Sequence, residues 1–200
     1  IVLVFSISAF ALSGPATQYK DLNASITGQY DITLDQVAAI SDVPYVEYFR
    51  PYEDITRAEY AVMAVKAFGI DLVNPATPTF SDVPKTHALY RYIEAAADAG
   101  IIQGYTDGSF GPTTKATREQ MLSIISRYVG MKAGYYDGTT WSWTPGAVTV
   151  EDYLDAHFGD AAQIDAAHAT AVAFAYSMGI TKGDNFGNLA PKKNLTRIQA

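Results

Sequence analysis

The chain contains no cysteine in its 200 residues. That excludes disulfide staples, a thiol nucleophile and thiolate metal ligands together. Histidine is nearly as scarce. His87, His157 and His168 are scattered, with no H-E-x-x-H or comparable ligand spacing, so solvated or capping roles are expected for them and no metal. No glycine-rich loop opens a helix after a strand-like run, so a phosphate cradle is missing. Asp82, Asp107 and Asp160 recur with a period described below, which suits turn and cap duty, whereas a glycosidase needs one constellation of paired acids. Asp184-Asn185-Phe186-Gly187-Asn188 superficially resembles a calcium loop but lacks the longer ligand set that ends in Glu. The sequence therefore offers no catalytic residues, metal or cofactor, and a non-enzyme is expected.

Basic residues are also in short supply: 14 Lys and Arg face 21 Asp and Glu, for a net charge of −7. Such a chain is poorly suited to a phosphate backbone, which excludes nucleic acid as a partner. An anionic ligand would need local cationic pockets. With 48% hydrophobic and 18% charged residues the composition is globular, not disordered.

Long apolar runs are few. Ile1 to Leu12 is almost wholly apolar and uncharged, too short to span a bilayer, and ends on the small-x-small pattern Ala9-Phe10-Ala11 ahead of Ser13, Gly14 and Pro15. Residues 1–16 are expected to be the remnant of a signal peptide, implying export and no membrane insertion after cleavage. A buried strand or helix is the alternative.

What the chain does have is a repeat. Ile55-Thr56-Arg57-Ala58-Glu59 returns as Ala116-Thr117-Arg118-Glu119-Gln120 and as Leu195-Thr196-Arg197-Ile198-Gln199. Each copy sets Thr56, Thr117 or Thr196 where a helix should start and Glu59, Gln120 or Gln199 three residues later, the reciprocal pattern of a capping box. Each also puts Arg at the first helical position, against the helix dipole, so the arginine is expected to do something other than support the helix. Phe49-Arg50-Pro51, Phe110-Gly111-Pro112 and Leu189-Ala190-Pro191 begin seven residues before their Thr. Tyr19-Lys20-Asp21-Leu22 and Phe80-Ser81-Asp82-Val83 begin 37 before theirs, and Phe158-Gly159-Asp160-Ala161 begins 38 before. Gly69 and Gly130 follow their Thr by 13, where a helix C-cap would fall. Units of roughly fifty residues repeated in tandem are an architecture in themselves.

These units resemble S-layer homology (SLH) motifs, whose pattern runs F-x-D-V, a helix, G-I-I-x-G-Y-x-D-G-x-F-x-P, and I-T-R-A-E opening a second helix. The middle unit fits best, with Phe80-Ser81-Asp82-Val83, Gly100-Ile101-Ile102-Gln103-Gly104-Tyr105-Thr106-Asp107-Gly108-Ser109-Phe110-Gly111-Pro112 and Thr117-Arg118. The resemblance implies a mainly α fold: three helix-loop-helix repeats in a pseudo-threefold spindle, with short extended turns in the loops and ligand grooves between units. On that pattern residues 17–73 are motif 1 with a divergent front half, 79–130 motif 2, 131–152 an aromatic-rich insertion and short helix, and 153–200 motif 3, truncated in its last helix.

Local patterning adds detail. Ala61, Val65 and Phe68 give the 57–68 region an apolar helical face. Leu89, Ile93, Ala96 and Ala97 do so before Gly100, and Met121, Leu122, Ile125 and Tyr128 after Thr117. Asp31 to Ile40 stands where motif 2 has its first helix, and Val150 to His157 is expected to be one short helix. Ile164, Ala167, Ala171, Val172 and Ala175 outline a small-residue helix, followed by a loop read as shortened, 179–188. Trp141 and Trp143 lie in the turn-rich insertion, either packing onto the domain or offering a sugar-stacking platform.

The site reading rests on Arg57, Arg118 and Arg197. A helix N-terminus is an anion site, and the planar guanidinium holds a carboxylate in a bidentate pair. The alternative is that each arginine only pairs with a neighbouring unit's carboxylate. The resemblance implies the former: anchoring of an exported bacterial protein to the cell surface by binding pyruvylated secondary cell-wall polysaccharide. Gly104, Asp107, Lys115, Gly183 and Lys193 are expected beside the grooves. Lys115, Lys192 and Lys193 make the second and third loops basic, and Glu119 is expected to neutralise Arg118, so the Arg197 site is expected to be the most attractive to an anion. The family's His-Trp-Ala is replaced by His87-Ala88-Leu89 in motif 2, and Ala167 stands at the corresponding place in motif 3. The competing functions are a protein-protein module that self-associates in a surface lattice, or the anchor of a larger surface glycoside hydrolase.

Overall fold

A computed structural model describes residues 19–29, 34–41 and 48–200. The apolar run assigned to a signal peptide lies outside the described residues. Among those residues the fold is mainly helical, without strands: α1 (Ala24–Gly28), α2 (Leu34–Ile40), α3 (Arg57–Phe68), α4 (Tyr90–Asp98), α5 (Arg118–Ala133), α6 (Val150–Asp155), a 3-10 turn (Ala161–Gln163) and α7 (Ala166–Ser177).

The capping signals act as read at α3. The Thr56 side chain accepts from the Glu59 N–H at 3.2 Å, and Glu59 Oε2 accepts from the Thr56 N–H at 2.7 Å. Gly69 closes the helix in the left-handed conformation, φ 64°. The Thr117 and Thr196 N–H groups likewise donate to Gln120 and Gln199, both at 3.2 Å. Gly130 is not a cap, contrary to expectation. Met131, Lys132 and Ala133 carry α5 on to Gly134, φ 79°. Gly130 instead lies flat beneath Trp141, where a Cβ would come within 2.7 Å of the indole. The first three residues given to the insertion thus belong to α5. The apolar face expected for α5 is also too narrow, because Leu122, Ser123, Ile124, Ser126, Arg127 and Val129 are all buried. A helix wedged between neighbours hides more than one stripe. On α7 the run Ala171 to Ala175 is buried while Ala167 is not.

Three loops hold the units together in a closed ring. The Ile55 N–H donates to the Leu195 carbonyl at 2.9 Å, Ala116 to Ile55 at 2.9 Å, and Leu195 to Ala116 at 3.0 Å. Antiparallel bridges Asp54 to Thr196, Thr56 to Lys115 and Thr117 to Asn194 flank these bonds. Ile55, Ala116 and Leu195 are all nearly inaccessible and belong to the main core, with Ala61, Val65, Ile93, Ile101 and Phe110. A second cluster gathers Leu122, Leu154, Phe158, Val172 and Leu189. A small third one joins Leu22, Val37, Phe49 and Ile198.

Each loop is stapled by an aspartate from the start of its own unit. Asp82 accepts the Phe110 and Gly111 N–H groups at 2.7 and 2.8 Å. Asp160 accepts those of Leu189 and Ala190 at 2.8 and 2.7 Å, and Asp21 those of Phe49 and Arg50 at 2.7 Å each. A carboxylate meeting two successive amides bends the chain sharply, and the middle residue takes positive φ: 58° at Arg50, 71° at Gly111 and 54° at Ala190. The loop read as shortened is not so. Tyr105 donates to the Ser109 carbonyl and Asp184 to that of Asn188, both at 2.7 Å, closing turns of equal span. Gly104 and Gly183 permit this closure, since a Cβ would meet the Ser109 or Asn188 oxygen at 2.6 or 2.8 Å.

Candidate functional site

Arg57 and Arg118 open α3 and α5, whereas Arg197 lies in a turn rather than the helix expected there; the backbone amides at all three places are already occupied. The Arg57 N–H donates to the Thr114 carbonyl at 2.8 Å, Arg118 to Lys193 at 3.0 Å and Arg197 to Glu53 at 2.8 Å. The next N–H along, from Ala58, Glu119 and Ile198, goes to Pro112, Pro191 and Pro51. These amides build the ring and are spent. What remains for a ligand is side chain.

The guanidinium groups differ in surroundings. Arg57 Nε donates to the Phe110 carbonyl at 2.8 Å and Nη2 to that of Gln103 at 3.2 Å, with Tyr105 and Phe110 rings 4.8 and 4.7 Å away. Arg118 Nη1 donates to the Leu189 carbonyl at 2.9 Å, the corresponding bond one unit on. Arg197 is only 2% exposed and pairs with Glu59 at 3.0 Å, near the Phe49 ring. Of the three, Arg197 is the one held by a carboxylate inside the fold.

The charged side chains around these arginines are not disposed as the sequence predicts. Lys192 does not make an open basic loop, because its ammonium lies 2.6 Å from Glu119 and 2.7 Å from Asp165. Glu119 is accordingly taken by Lys192 and by the Asp165 N–H at 3.0 Å, not by Arg118. Lys115 donates to the Asp54 carbonyl at 2.7 Å, and Lys193 is exposed. Asp107 binds the Ser109 N–H and hydroxyl at 2.9 and 2.6 Å, the turn duty read from the sequence. His87 Nδ1 accepts the Leu89 N–H at 3.1 Å just ahead of α4, whose start has no side-chain cap.

Among the described residues, Arg197 lines one cavity with Phe49 and Met63, and Arg57 opens onto another that gathers further cationic and aromatic groups. This hollow of about 270 Å³ is lined by Arg57, Tyr60, Gln103, Tyr105, Arg127 and His168, together with Gly104, Gln120 and the acidic Asp165. Arg127 is 6% exposed, and its Nη2 donates to Gln103 Oε1 at 2.9 Å. Burial lowers both arginine pKa values, and Arg57 presses further on that of Arg127. Two guanidinium groups facing one hollow in an acidic protein concentrate positive potential there. Sequence reasoning missed Arg127, Tyr105 and His168. The available signal was an arginine one place from Tyr128 on a helix otherwise read as apolar. Beside Arg118 the place of Tyr105 is taken by Asp184, a repulsive neighbour for an anion.

Trp141 and Trp143 do not form an open platform. Their rings pack on Phe174 at 5.1 and 5.6 Å, and Trp141 also on Tyr136 at 4.9 Å. Packing onto the domain is the alternative that the structure matches.

The model of the S-layer homology domain matches residues 79–122 and 157–200. Two S-layer homology repeats are present. The chain is also 28% identical over 152 residues to an endoglucanase of Bacillus sp. (strain KSM-635), covering 76% of this chain and 14% of that protein. It is 33% identical over 153 residues to an amylopullulanase of Thermoanaerobacterium thermosulfurigenes, covering 76% of the chain and 7% of the enzyme. A cellulosome-anchoring protein of Acetivibrio thermocellus is 29% identical over 94 residues, 46% of the chain and 21% of that protein. The chain thus spans a small part of these relatives. Further relatives, each 30% identical over 79 residues, are named a middle cell wall protein, of Brevibacillus brevis, and a surface layer protein, of Brevibacillus choshinensis. Among the described residues no helix is long and apolar enough to cross a membrane.

Proposed function

We propose that the chain anchors an exported protein to the cell envelope by holding carboxylates of a pyruvylated secondary cell-wall polysaccharide, with Arg57 as its principal contact. The observation that carries this is the Arg57 hollow, where a second guanidinium and an exposed Tyr105 ring accompany the first. A pyruvate ketal offers a carboxylate for the fork and a sugar face for the ring. Residues 17–73 act as a third repeat, because the first arginine comes from that unit. Arg118, with Asp184 nearby, is the weaker site. Arg197 serves mainly to close the ring through Glu59, while Thr56 with Glu59 and Thr117 with Gln120 hold the starts of α3 and α5, and Thr196 with Gln199 the turn at 197–199.

Co-sedimentation with purified cell-wall sacculi, before and after mild acid removal of pyruvate, tests the idea. Arg57→Ala is expected to weaken binding by about tenfold or more, the loss of one charge-assisted contact. Arg57→Lys should recover part of it. Binding retained after pyruvate removal would favour a different glycan or a protein-protein role in a surface lattice. The enzyme relatives also suit an anchor joined to a larger surface hydrolase.

A further inference from the structure

His168 stands in the first turn of α7 and lines the same hollow as Arg57 and Arg127. Its Nδ1 is 2.8 Å from Ser123 Oγ, and the Ser123 hydroxyl donates its one proton to the Glu119 carbonyl at 2.9 Å. The ring must therefore donate from Nδ1, which leaves Nε2 as the nitrogen that gains a proton. The charges around it come from every packed element. Arg57 of α3, Arg127 of α5 and Lys192 of the last loop oppose a positive ring, while Asp165 favours one. The Glu119 and Asp165 carboxylates lie within 4.8 Å of the ring nitrogen and of each other, but Lys192 bridges them. A lysine ammonium in that position leaves no room for a metal ion. Burial first, and Arg127 next, push the His168 pKa down to about 4.

The groups that keep the ring neutral are the ones that would attract a ligand. An anion seated between Arg57 and Arg127 cancels their field at the imidazole. We propose that His168 is a third, proton-gated cationic contact of the hollow: binding of a carboxylate takes up one proton at Nε2, so that attachment tightens as pH falls. The proposal rests on the carboxylate-binding reading above. By reciprocity, the ligand raises the affinity of the ring for its proton by the same factor that the proton raises affinity for the ligand. A ketal carboxylate resembles an α-carboxyl, which ionises above about pH 3.5, so the ligand stays charged throughout the window.

The test is calorimetric titration of the whole chain with a methyl hexoside carrying a pyruvate ketal, in two buffers of different ionisation enthalpy, at about pH 5 and about pH 7.5. Uptake approaching one proton per ligand is expected at the lower pH and almost none at the higher, with affinity rising by up to about tenfold per pH unit inside the window. An NMR titration of the His168 C2 proton, assigned with His168→Gln, should show its pKa raised by the ketal. The His168→Gln chain should bind without that pH dependence. Ketal binding with no proton uptake and an unmoved His168 would overturn the inference and leave carboxylate binding standing. Dependence that survives in His168→Gln would also overturn it, pointing to Glu119 or Asp165. No ketal binding at either pH would remove both.

Discussion

Three residues sit in the left-handed conformation at equivalent places in their loops, and only Gly111 is suited to it. Arg50 and Ala190 hold φ values of 58° and 54° because Asp21 and Asp160 grip their own N–H and that of the residue before. A side chain in that region costs about 1–2 kcal/mol, and glycine gives back about 0.4–1 kcal/mol through a freer unfolded chain. Ala190→Gly is therefore expected to stabilise the protein by up to about 1 kcal/mol, read as a raised urea midpoint. Gly111→Ala should do the reverse and more, since the new methyl would lie 2.9 Å from both Tyr105 and Thr114. The chemistry legible at this scale was local. Thr56, Glu59 and Gly69 could be placed because a cap is decided by residues three or four apart. Arg127 could not, because what makes it notable is Arg57, seventy places and one unit away, across the same hollow.

Gly130 and the helix that contains it show propensity giving way to packing. Inside an exposed helix, Gly→Ala normally gains about 1 kcal/mol. Here the indole of Trp141 rests against the glycine, so Gly130→Ala is expected to destabilise by about 1–3 kcal/mol, with a red shift of tryptophan emission as the ring is displaced. Urea unfolding followed by fluorescence gives both readouts, and an unchanged or raised midpoint would contradict the packing. The contact was not legible because the insertion carries no repeat signal, and nothing local says which helix its rings meet. The α5–α7 pair supplies a pH test too. The His168 ring is neutral in the fold, its pKa down at about 4 against an unfolded value of about 6.5. In that interval the unfolded chain binds the proton that the folded ring refuses. Its stabilising contribution is thus full above about pH 6.5 and lost as pH falls toward about 4. Wild type should lose more stability than His168→Gln between about pH 7 and about pH 5, measured by urea midpoints at each pH.

At the scale of the molecule, the sequence announced the repeats but not how they meet. A Thr-Arg motif seven residues after an F-x-P loop looks like a unit complete in itself. In the structure every unit is finished by the next: Ala116 donates to Ile55, Ile55 to Leu195, and Leu195 to Ala116. An open solenoid spreads its stability over nearest-neighbour contacts and can fray from an end. A closed ring has no such end, since freeing one loop breaks two of these bonds and uncovers a residue from the shared core. Native-state hydrogen exchange should accordingly give the Ile55, Ala116 and Leu195 amides one common opening free energy, equal to that of global unfolding. A distinctly lower value at any one of them would show that its unit opens alone. Concerted opening also suits the anchor proposed above, because the Arg57 hollow is built from α3, the 101–110 loop, α5 and the start of α7. A unit that peeled away would take one wall of the site with it.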